Sequence, residues 1–465
     1  MGEAAITEIQ EEANAWIINV NENSESQWEP KSLSGNESQS EKVDGDANSS
    51  IKNEHQNRVL ANDITQMLES SEPPLSRKYC YIYRVPHDIR KLSKEAYTPQ
   101  IISIGPFHHG HKRLEPMKKL KVKYFKIFVQ KAVLNVEKLV STVRDMEGDV
   151  RRCYAETSEI SSDNYVKMIL LDVSFIIVHF LIFKHAEWGH YQESTVFSEQ
   201  LLEDMLLLEN QLPFFVIEKL YNFAFASCSR YPSFIQLTFE FFAFYNSQKM
   251  SPHPNLRIMH FVDLIRTFFL PPLERLQEIK RGEKVRHLYS VSQLDEAGVK
   301  FKVGSSKCLF DLKFANGVLE IPCFRVYRDS ESYVRNVEAL EQCHYLYNAY
   351  VTDYFRVMDF LIDTAKDVDI LVRKGILVNW VGDSNTAATL CNNLCQRIVI
   401  SDTNSDYCLL CKDLNAFYED RRRRWKVILR RDYFSNPWRT TTTIAAIILL
   451  VLTFTQTACS IISLL

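Results

Sequence analysis

The sequence contains none of the short motifs that mark the common enzyme classes. There is no glycine-rich phosphate loop, no Gly-x-Ser-x-Gly nucleophile elbow and no His-Glu-x-x-His zinc motif. These absences exclude the signatures of P-loop nucleotide hydrolases, α/β-hydrolases and zinc proteases of that type. We therefore predict that the protein is not an enzyme, and we assign no catalytic, cofactor-binding or metal-binding residue and no cofactor.

The beginning of the chain lacks the apolar side chains that a core requires. Residues 1–76 are rich in Glu, Ser, Asn, Gln and Asp and contain few aromatic residues. Such a segment cannot bury enough apolar surface to offset the entropy lost on ordering, so we predict a disordered acidic tail. No basic stretch followed by an apolar stretch opens the chain, which argues against a secretory signal peptide. The N-glycosylation acceptors, Asn36 and Asn48, both lie in this tail.

Eleven cysteines in 465 residues do not form an even disulfide framework, and most lie in apolar stretches. We interpret them as small buried side chains in a reducing compartment. Two pairs allow another interpretation, because Cys391 with Cys395 and Cys408 with Cys411 could supply four thiolates to a zinc ion. Both pairs fall in helical, amphipathic sequence, where such spacing places two residues on one helix face. We therefore favour the structural interpretation over zinc.

What the sequence does contain is a long, uncharged, apolar segment near its C-terminal end. From Thr443 to Leu465 there is no Asp, Glu, Lys, Arg or His. A helix of this length spans roughly 30 Å, the thickness of the hydrocarbon core of a bilayer. We predict a transmembrane helix at 440–465 that anchors the protein in a lipid bilayer. Its polar side chains could bond to neighbouring helices or to backbone carbonyls, and they are Thr453, Thr455, Gln456, Thr457 and Ser460.

A basic cluster precedes this segment. It comprises Arg421 to Arg424, Lys426, Arg430, Arg431 and Arg439. Because basic residues beside a span stay in the cytoplasm, we predict a cytoplasmic body and attraction of the cluster to anionic lipid headgroups. We expect the plasma membrane, with an endomembrane as the alternative. The stretch RRRRWK also matches nuclear-localisation and nucleic-acid-binding segments, but its position beside the span favours the membrane, and we expect no nucleic acid partner.

Between the tail and the span, residues 77–436 are predicted to form a mainly α (α+β) domain, a large helical body with one small antiparallel β-meander. Helical periodicity covers about 116–139, 163–185, 198–222, 231–246, 256–269, 331–345, 350–373, 384–399 and 407–432. Between about 287 and 328 apolar and polar residues alternate with a period of two, which is typical of β-strands. The pair Asn316-Gly317 is typical of a hairpin turn. Nothing repeats at a fixed period, so a solenoid is not expected.

Three histidines in the stretch FHHGH are the strongest metal candidate. The ligands would be His108, His109 and His111, with Glu115 nearby. Adjacent side chains on regular structure point apart, so only a loop could bring them to one ion. The flanking proline and glycine make a loop credible. We favour a hydrogen-bonded turn whose imidazoles cap neighbouring backbone, and a metal-dependent hydrolase is the competing hypothesis.

The stretch LLLENQLPFF places polar residues in wholly apolar surroundings. Pro213 cannot donate a hydrogen bond to the carbonyl of Glu209, so a helix here must kink or end. We interpret Asn210 and Gln211 as partners for the backbone groups that the kink frees. Glu209 as a catalytic carboxylate is the alternative, but the sequence places no histidine or second acid beside it.

Many motifs of the ordered part resemble, in the same order, those of the plant family known as domain of unknown function 247. They are IYRVP, AYTPQIISIGPFHHG, LLLENQLPFFVIEKLY, EAGVKFKV, NGVLEIP, RNVEALEQCHY, YVTDYFRVMDFLID, KDVDILVRKGILVNWVGD and RRWKVILRRDYFSNPW, followed by the apolar segment. The resemblance runs from about Arg77 to the C-terminus. It implies a plant-specific protein without established enzymatic activity. Most members are predicted single-pass membrane proteins, and some are implicated as pollen-side determinants of self-incompatibility in grasses.

One stretch departs from the family pattern. Where the family usually has Asp-Gly-Cys-Phe followed by an acidic position, this chain reads LDVSFIIVHF. It keeps Asp172 and Phe175 but has Val173, Ser174 and His179. Asp172 and His179 lie two turns apart on one predicted helix, too far to touch. Any role that the family gives this stretch is not carried over to this chain.

Together these features predict a tail-anchored plant membrane protein whose cytoplasmic body binds another protein, as a signalling or recognition component. The sequence does not identify that partner. The alternatives are a pollen-side self-incompatibility determinant and a metal-dependent hydrolase that uses the histidine-rich turn.

Overall fold

The fold is taken from a computed structural model. It describes residues 47–70, 79–132, 135–184, 195–225, 230–253, 256–276, 279–396, 398, 402–420 and 437–462. The chain divides into two units, Met1–Pro73 and Pro74–Leu465. The first unit contains one described helix, and the second contains all the other described elements.

Seventeen α-helices lie within the described residues. They are α1 (Ala47–Ser70), α2 (His87–Arg90), α3 (Pro116–Ala132), α4 (Val136–Arg152), α5 (Ser162–Lys184), α6 (Thr195–Met205), α7 (Phe214–Phe225), α8 (Phe234–Phe241), α9 (Phe261–Phe269), α10 (Leu273–Leu276), α11 (Val291–Glu296), α12 (Ser330–Cys343), α13 (Tyr350–Leu361), α14 (Ala365–Arg373), α15 (Ser384–Leu394), α16 (Ser405–Glu419) and α17 (Pro437–Ile462). The described strands are β1 (Arg281–Gly282), β2 (Lys300–Gly304), β3 (Lys313–Ala315), β4 (Val318–Pro322), β5 (Phe324–Val326), β6 (Leu377–Asn379) and β7 (Thr403–Asn404). The prediction of a mainly α fold with little sheet is confirmed.

Helix α1 lies within the segment whose composition predicts disorder. Its 24 residues include no proline and no glycine, so nothing in the backbone interrupts a helix once it forms. Its large apolar side chains Val59, Leu60, Ile64 and Met67 are all exposed. Residues 1–46 lie outside the described residues, so disorder there stays a prediction.

Helix α5 is the central element of the core. It packs against α3, α4, α7 and α8, and 15 of its 23 side chains are buried. A helix that is apolar on every side must be surrounded either by protein or by lipid. Here protein surrounds it, and 78% of its most apolar stretch is buried inside the fold. Further along the chain, α12 packs against α9, α13 and α15 and extends the same core.

Three of the predicted helices are each two helices in the structure. The predicted helix 116–139 separates into α3 and α4, and Asn135 caps α4 by accepting a hydrogen bond from the amide of Glu137. The predicted helix 198–222 separates into α6, which ends at Met205, and α7, which begins at Phe214 directly after Pro213. The predicted helix 350–373 separates into α13 and α14. Thr364 forms a capping box with the third residue of α14 and so starts a new helix there.

The small sheet corrects one prediction. Strands β3 and β4 pair antiparallel through the turn Asn316-Gly317, where both residues have positive φ, which confirms the hairpin. Strand β2, however, pairs in parallel with β4, so the order is β2-β4-β3 and the antiparallel meander is wrong for β2. The physical reason is that 308–312 forms tight turns instead of a strand, and the chain re-enters the sheet beyond β4.

Candidate functional site: the histidine turn and the C-terminal helix

The histidine turn, residues 105–111, begins at a glycine whose neighbours leave no space for a side chain. Gly105 has φ of +73°, and a Cβ there would lie 2.5 Å from the carbonyl oxygen of Gln211 and 2.9 Å from the hydroxyl of Tyr154. Gly110 has φ of +76° but faces open space. Only glycine adopts such values without strain, so these two residues shape the loop that the sequence predicts.

A buried ion pair fixes the turn to the core. Asp172 on α5 accepts a hydrogen bond from the amide of Gly105 at 2.9 Å. Its other oxygen pairs with the ammonium of Lys121 on α3, which also donates to the carbonyl of Ser103. Asp172 and Lys121 are both buried, and each charge is stabilised there only by its partner and by these hydrogen bonds. Asp172 therefore positions backbone, and it does not meet His179.

His179 lies in a different environment on the same helix. Its ring stacks on Phe175 at 5.8 Å and meets the ring of Phe241 edge to face at 5.6 Å. Burial lowers the pKa of this imidazole to about 4, so it is neutral at ordinary pH. The sequence prediction that Asp172 and His179 do not form one site is confirmed.

Asn210 and Asp204 hold the extended segment that leads into the turn. Asn210 accepts a hydrogen bond from the amide of Ile104 and donates to the carbonyls of Ile102 and Asp204. The carboxylate of Asp204 accepts from three consecutive amides, those of residues 100, 101 and 102, at 2.7 to 2.8 Å. A stretch of chain that forms no strand thus has its amides satisfied by side chains.

Gln211 satisfies the freed end of α6. Its amide nitrogen donates to the carbonyls of Met205 and Leu207, and its oxygen accepts from the amide of Phe261. The hydroxyl of Tyr154 in turn donates to the carbonyl of Gln211 at 2.9 Å. The interpretation of Asn210 and Gln211 as partners for backbone groups is confirmed.

Glu209 lies at the centre of a separate charged cluster. Oε1 accepts hydrogen bonds from the amide of Val85 at 2.9 Å and from Arg90 at 2.5 Å. Oε2 lies 3.4 Å from Nε2 of His108 and 3.6 Å from Arg84. Burial raises the pKa of Glu209, but the interactions with His108, Val85 and Arg90 outweigh it and leave the pKa lowered. The carboxylate is therefore held ionised by fixed cations and an amide.

His109 diverges from His108 and lines a small cleft on the other side of the turn. The cleft has a volume of about 40 Å³ and is also lined by His111, Lys118 and Lys121. Burial lowers the pKa of His109, Asp172 opposes that effect and Lys121 adds to it. A neutral imidazole beside an ammonium suits a small polar group. Among the described residues, the cleft holds no nucleophile bonded to a general base.

The metal hypotheses gain no support from the described part of the chain, where no three His, Cys, Asp or Glu side chains are placed to hold one ion. In the turn, His108 lies beside Glu209, whereas His109 and His111 line the small cleft. Cys391 lies on α15 and Cys395 directly follows it, whereas Cys408 and Cys411 lie on α16. Burial raises the pKa of Cys391 and of Cys411 to about 12, so both thiols keep their protons.

Helix α17 has the composition of a membrane-spanning helix. The stretch Thr441–Ile462 is long and apolar enough to cross a membrane, and none of its most apolar part is buried in protein. Its exposed large apolar side chains are Ile444, Ile447, Ile448, Leu449, Leu450, Val451, Leu452, Phe454, Ile461 and Ile462. The hydroxyls that bond to the carbonyl four residues earlier, as predicted, are those of Thr453, Thr455, Thr457 and Ser460. The basic residues 421–431 lie outside the described residues.

The chain matches the family model DUF247, described as a plant protein of unknown function, over residues 82–452. This protein belongs to the DUF247 family. The resemblance seen in its motifs is thereby confirmed.

Two proteins from Arabidopsis thaliana are similar to the chain over most of their length. One is named UPF0481 protein At3g47200 and is 28% identical over 434 residues, which cover 85% of this chain and 90% of the relative. The other is named Putative UPF0481 protein At3g02645 and is 22% identical over 489 residues, with coverages of 83% and 91%. No solved structure matches the chain.

Four residues of this DUF247 site were not identified from the sequence: Arg84, Arg90, Lys121 and Asp204. Lys121 was detectable, because it shares one face of α3 with the buried residues Tyr124 and Phe128 at helical spacing. It lies within a lysine-rich run, so the sequence does not distinguish this buried lysine from its exposed neighbours. The other three gave no local signal, since their partners lie far away in the sequence.

Proposed function

We propose that this DUF247 protein is a single-pass membrane protein, anchored by α17, whose helical body lies in the cytoplasm and recognises another protein. The observation that carries the proposal is that none of the apolar stretch of α17 is buried in protein. Leaving a Val, Leu, Ile or Phe side chain in water instead of an apolar medium costs about 1.5–3 kcal/mol. A helix that exposes ten such side chains therefore favours lipid strongly over water.

The polar groups of α17 are compatible with a bilayer. A helix satisfies its own backbone groups, which lipid cannot do for it. The threonine and serine hydroxyls are satisfied too, because they bond to carbonyls within the helix. Nothing in the described part of α17 from Thr441 onward carries a charge into the membrane.

The basic cluster before α17 sets the orientation in this proposal. Its arginines and lysine would stay on the cytoplasmic side and attract anionic headgroups of that leaflet. We propose the plasma membrane as the location, with an endomembrane as the alternative.

A recognition role, and not catalysis, is supported by how the body uses its polar side chains. Asp172, Asp204, Asn210 and Gln211 all bind backbone, and Glu209 is bound by arginines and an amide. Their common effect is to fix a segment without regular structure to the helical core. A pollen-side role in self-incompatibility is the narrower alternative, and expression confined to pollen with many divergent alleles would support it.

The proposal is tested in plant cells with the full chain carrying an N-terminal epitope and a proximity-labelling enzyme. We expect the protein to resist alkaline carbonate extraction, its epitope to be protected from external protease on intact cells, and cytosolic proteins to be labelled. The matched control is the same chain ended after residue 436, which lacks α17 and should become soluble.

Two outcomes would contradict the proposal. Release of the full chain by carbonate would show that α17 does not span a bilayer. Digestion of the epitope on unbroken cells would place the body outside the cytoplasm. For the recognition role, a set of labelled neighbours that does not change when the body is replaced by an unrelated soluble domain on the same α17 would count against it.

A further inference from the structure

A cavity lies between α12, α13, α15 and strand β5, away from the histidine turn. Its volume is about 40 Å³, and its walls are almost entirely apolar. The lining includes Phe269, Phe324, Val334, Met358 and Leu390. A space of this size is larger than one water molecule needs, since roughly 10–15 Å³ suffices for that.

One polar side chain of the lining has no partner. Tyr354 on α13 is 1% exposed, and its hydroxyl forms no hydrogen bond with any residue that the structure describes. Its ring is held by Phe310 at 5.4 Å and by Phe355 at 5.2 Å. Burial raises the pKa of Tyr354 well above its usual value, so the phenol is a neutral donor. A buried donor without an acceptor is unusual, and the adjoining cavity is the space from which an acceptor can reach it.

The other polar groups of the lining are engaged, lie at the edge or, in the case of the Cys391 thiol, are only weak hydrogen-bond donors. The hydroxyl of Ser330 accepts from the amide of Tyr327 at 2.9 Å. Arg325 is exposed, and the thiol of Cys391 keeps its proton because burial raises its pKa to about 12. The half-buried side chains Leu309 and Phe355 leave an apolar route inward.

Water is a poor occupant for this space. A buried water normally makes two to four hydrogen bonds, and in the described lining the Tyr354 hydroxyl is the one buried oxygen or nitrogen of a side chain without a partner, beside the weakly polar thiol of Cys391. A charged molecule is also unfavourable, because the charged side chain of the described lining, Arg325, lies at its exposed edge and not inside the cavity. What fits is an apolar body with a single acceptor.

We propose that this cavity binds a small, uncharged, mainly apolar molecule that presents one oxygen acceptor, such as a ketone or ester, to the hydroxyl of Tyr354. The apolar part lies against Phe269, Val334 and Met358. The inference is independent of the membrane anchor and of the recognition role.

The test uses the full chain in lipid nanodiscs with ¹³C-labelled methionine methyl groups. The methyl of Met358 lines the cavity, whereas Met205 is fully buried elsewhere and serves as an internal reference. Cyclopentanone and the matched hydrocarbon cyclopentane are titrated separately. We expect cyclopentanone to shift the Met358 signal in a saturable way while the Met205 signal stays unchanged.

The variant Tyr354→Phe removes the donor and keeps the ring. Loss of one hydrogen bond predicts that cyclopentanone binds about 3- to 10-fold more weakly to Tyr354→Phe, while binding of cyclopentane is unchanged. Val334→Leu, which adds volume to the cavity wall, should weaken both ligands. An unchanged Met205 signal shows that each variant is folded.

Three results would overturn the proposal. One is a Met358 shift that grows linearly with either compound, as simple partition into lipid would give. Another is equal affinity of cyclopentanone for the wild type and Tyr354→Phe. The third is a persistent nuclear Overhauser effect from water to the Met358 methyl that cyclopentanone does not displace.

Discussion

Helices α5 and α17 are similar in sequence character and opposite in environment. Both are long and apolar enough to cross a membrane. In α5, 78% of the most apolar stretch is buried in protein, whereas in α17 none of the most apolar stretch is buried. Apolar length alone therefore does not distinguish a core helix from a membrane span. The difference lies in the rest of the chain, which supplies four helices to cover α5 and, among the described residues, none to cover α17.

The polar side chains of the two helices follow the same division. Asp172 of α5 is ionisable and buried. The core accommodates its charge because Lys121 on another helix pairs with it. The polar groups of α17 from Thr443 onward are uncharged, and its bonded hydroxyls bind carbonyls of the same helix. A core can provide a partner from a distant segment, whereas lipid provides none.

The largest contrast is expected for phenylalanines in the two helices. Phe180 of α5 packs against four other rings, and Phe180→Ala should lower the free energy of unfolding of the body by about 3–5 kcal/mol. Phe454 of α17 is 74% exposed, and Phe454→Ala should leave that free energy unchanged. Chemical denaturation of the detergent-solubilised full chain, followed by tryptophan fluorescence, measures both. Equal effects would remove the distinction between the two helices.

Breaking the buried ion pair should destabilise the body almost as much. Lys121→Met leaves the carboxylate of Asp172 buried without its cation, which costs about 3–5 kcal/mol, and the double variant with Asp172→Asn should recover part of this loss. The control is Arg144→Met, which breaks an exposed pair with Asp163 and should cost about 0–1 kcal/mol. The same denaturation experiment applies, and a Lys121→Met variant as stable as the control would refute the anchoring role of the pair.

A charge in the middle of α17 should affect anchoring and not folding. Leu450→Arg places a guanidinium at the centre of the proposed span and disfavours insertion by about 2.5–3.5 kcal/mol. We expect a smaller carbonate-resistant fraction with unchanged unfolding of the body. Thr441→Arg, at the end of the span, is the matched control, because there the side chain can reach the headgroups. If both variants remained fully membrane-bound, α17 would not cross the bilayer at that depth.

The smallest expected effect, per pH unit, concerns His179 of α5. Its pKa of about 4 in the fold lies below the unfolded value of 6.5, so the unfolded chain binds the extra proton and stability falls as the pH falls from about 6.5 to about 4. Each such group contributes about 1.4 kcal/mol per pH unit in that window. His260, also shifted to about 4, adds an equal slope. His179→Phe keeps the ring stack and should remove about one proton from the pH dependence of unfolding.

The membrane anchoring of α17 provides the comparison for that pH experiment. From Thr443 onward the helix contains no carboxylate, amine or imidazole side chain. The fraction of the protein that sediments with membranes should therefore be the same at every pH between 4 and 6.5. An unchanged slope in His179→Phe would instead place the titrating group elsewhere in the body.

Some parts of the site follow from local sequence rules. No helix continues through Pro213 because it lacks an amide hydrogen, and α7 begins at the next residue. The glycines of the histidine turn adopt positive φ because they lack a Cβ. The hairpin at Asn316-Gly317 has the same origin. Each rule concerns a residue and its immediate neighbours, so each prediction could be made without the fold.

Other parts were not predictable in this way. Lys121 and Asp172 are 51 residues apart in the sequence. Glu209 is 124 residues from Val85, whose backbone amide donates a hydrogen bond to it. The parallel pairing of β2 with β4 likewise depends on the path of the chain between them. No periodicity records such partners, because they meet only when separate elements pack together.

By itself, the sequence determined that two long apolar helices exist, that the main body is helical, and where the glycine turns and the Asn316-Gly317 hairpin fall, because backbone chemistry and hydrophobic spacing act locally. Only the tertiary structure decided that α5 is enclosed by protein while α17 is left exposed, and that the histidine turn is held by Asp172 and its neighbours. The physical reason is that burial and ion pairing depend on which distant segments come together, and that is a property of the packed chain.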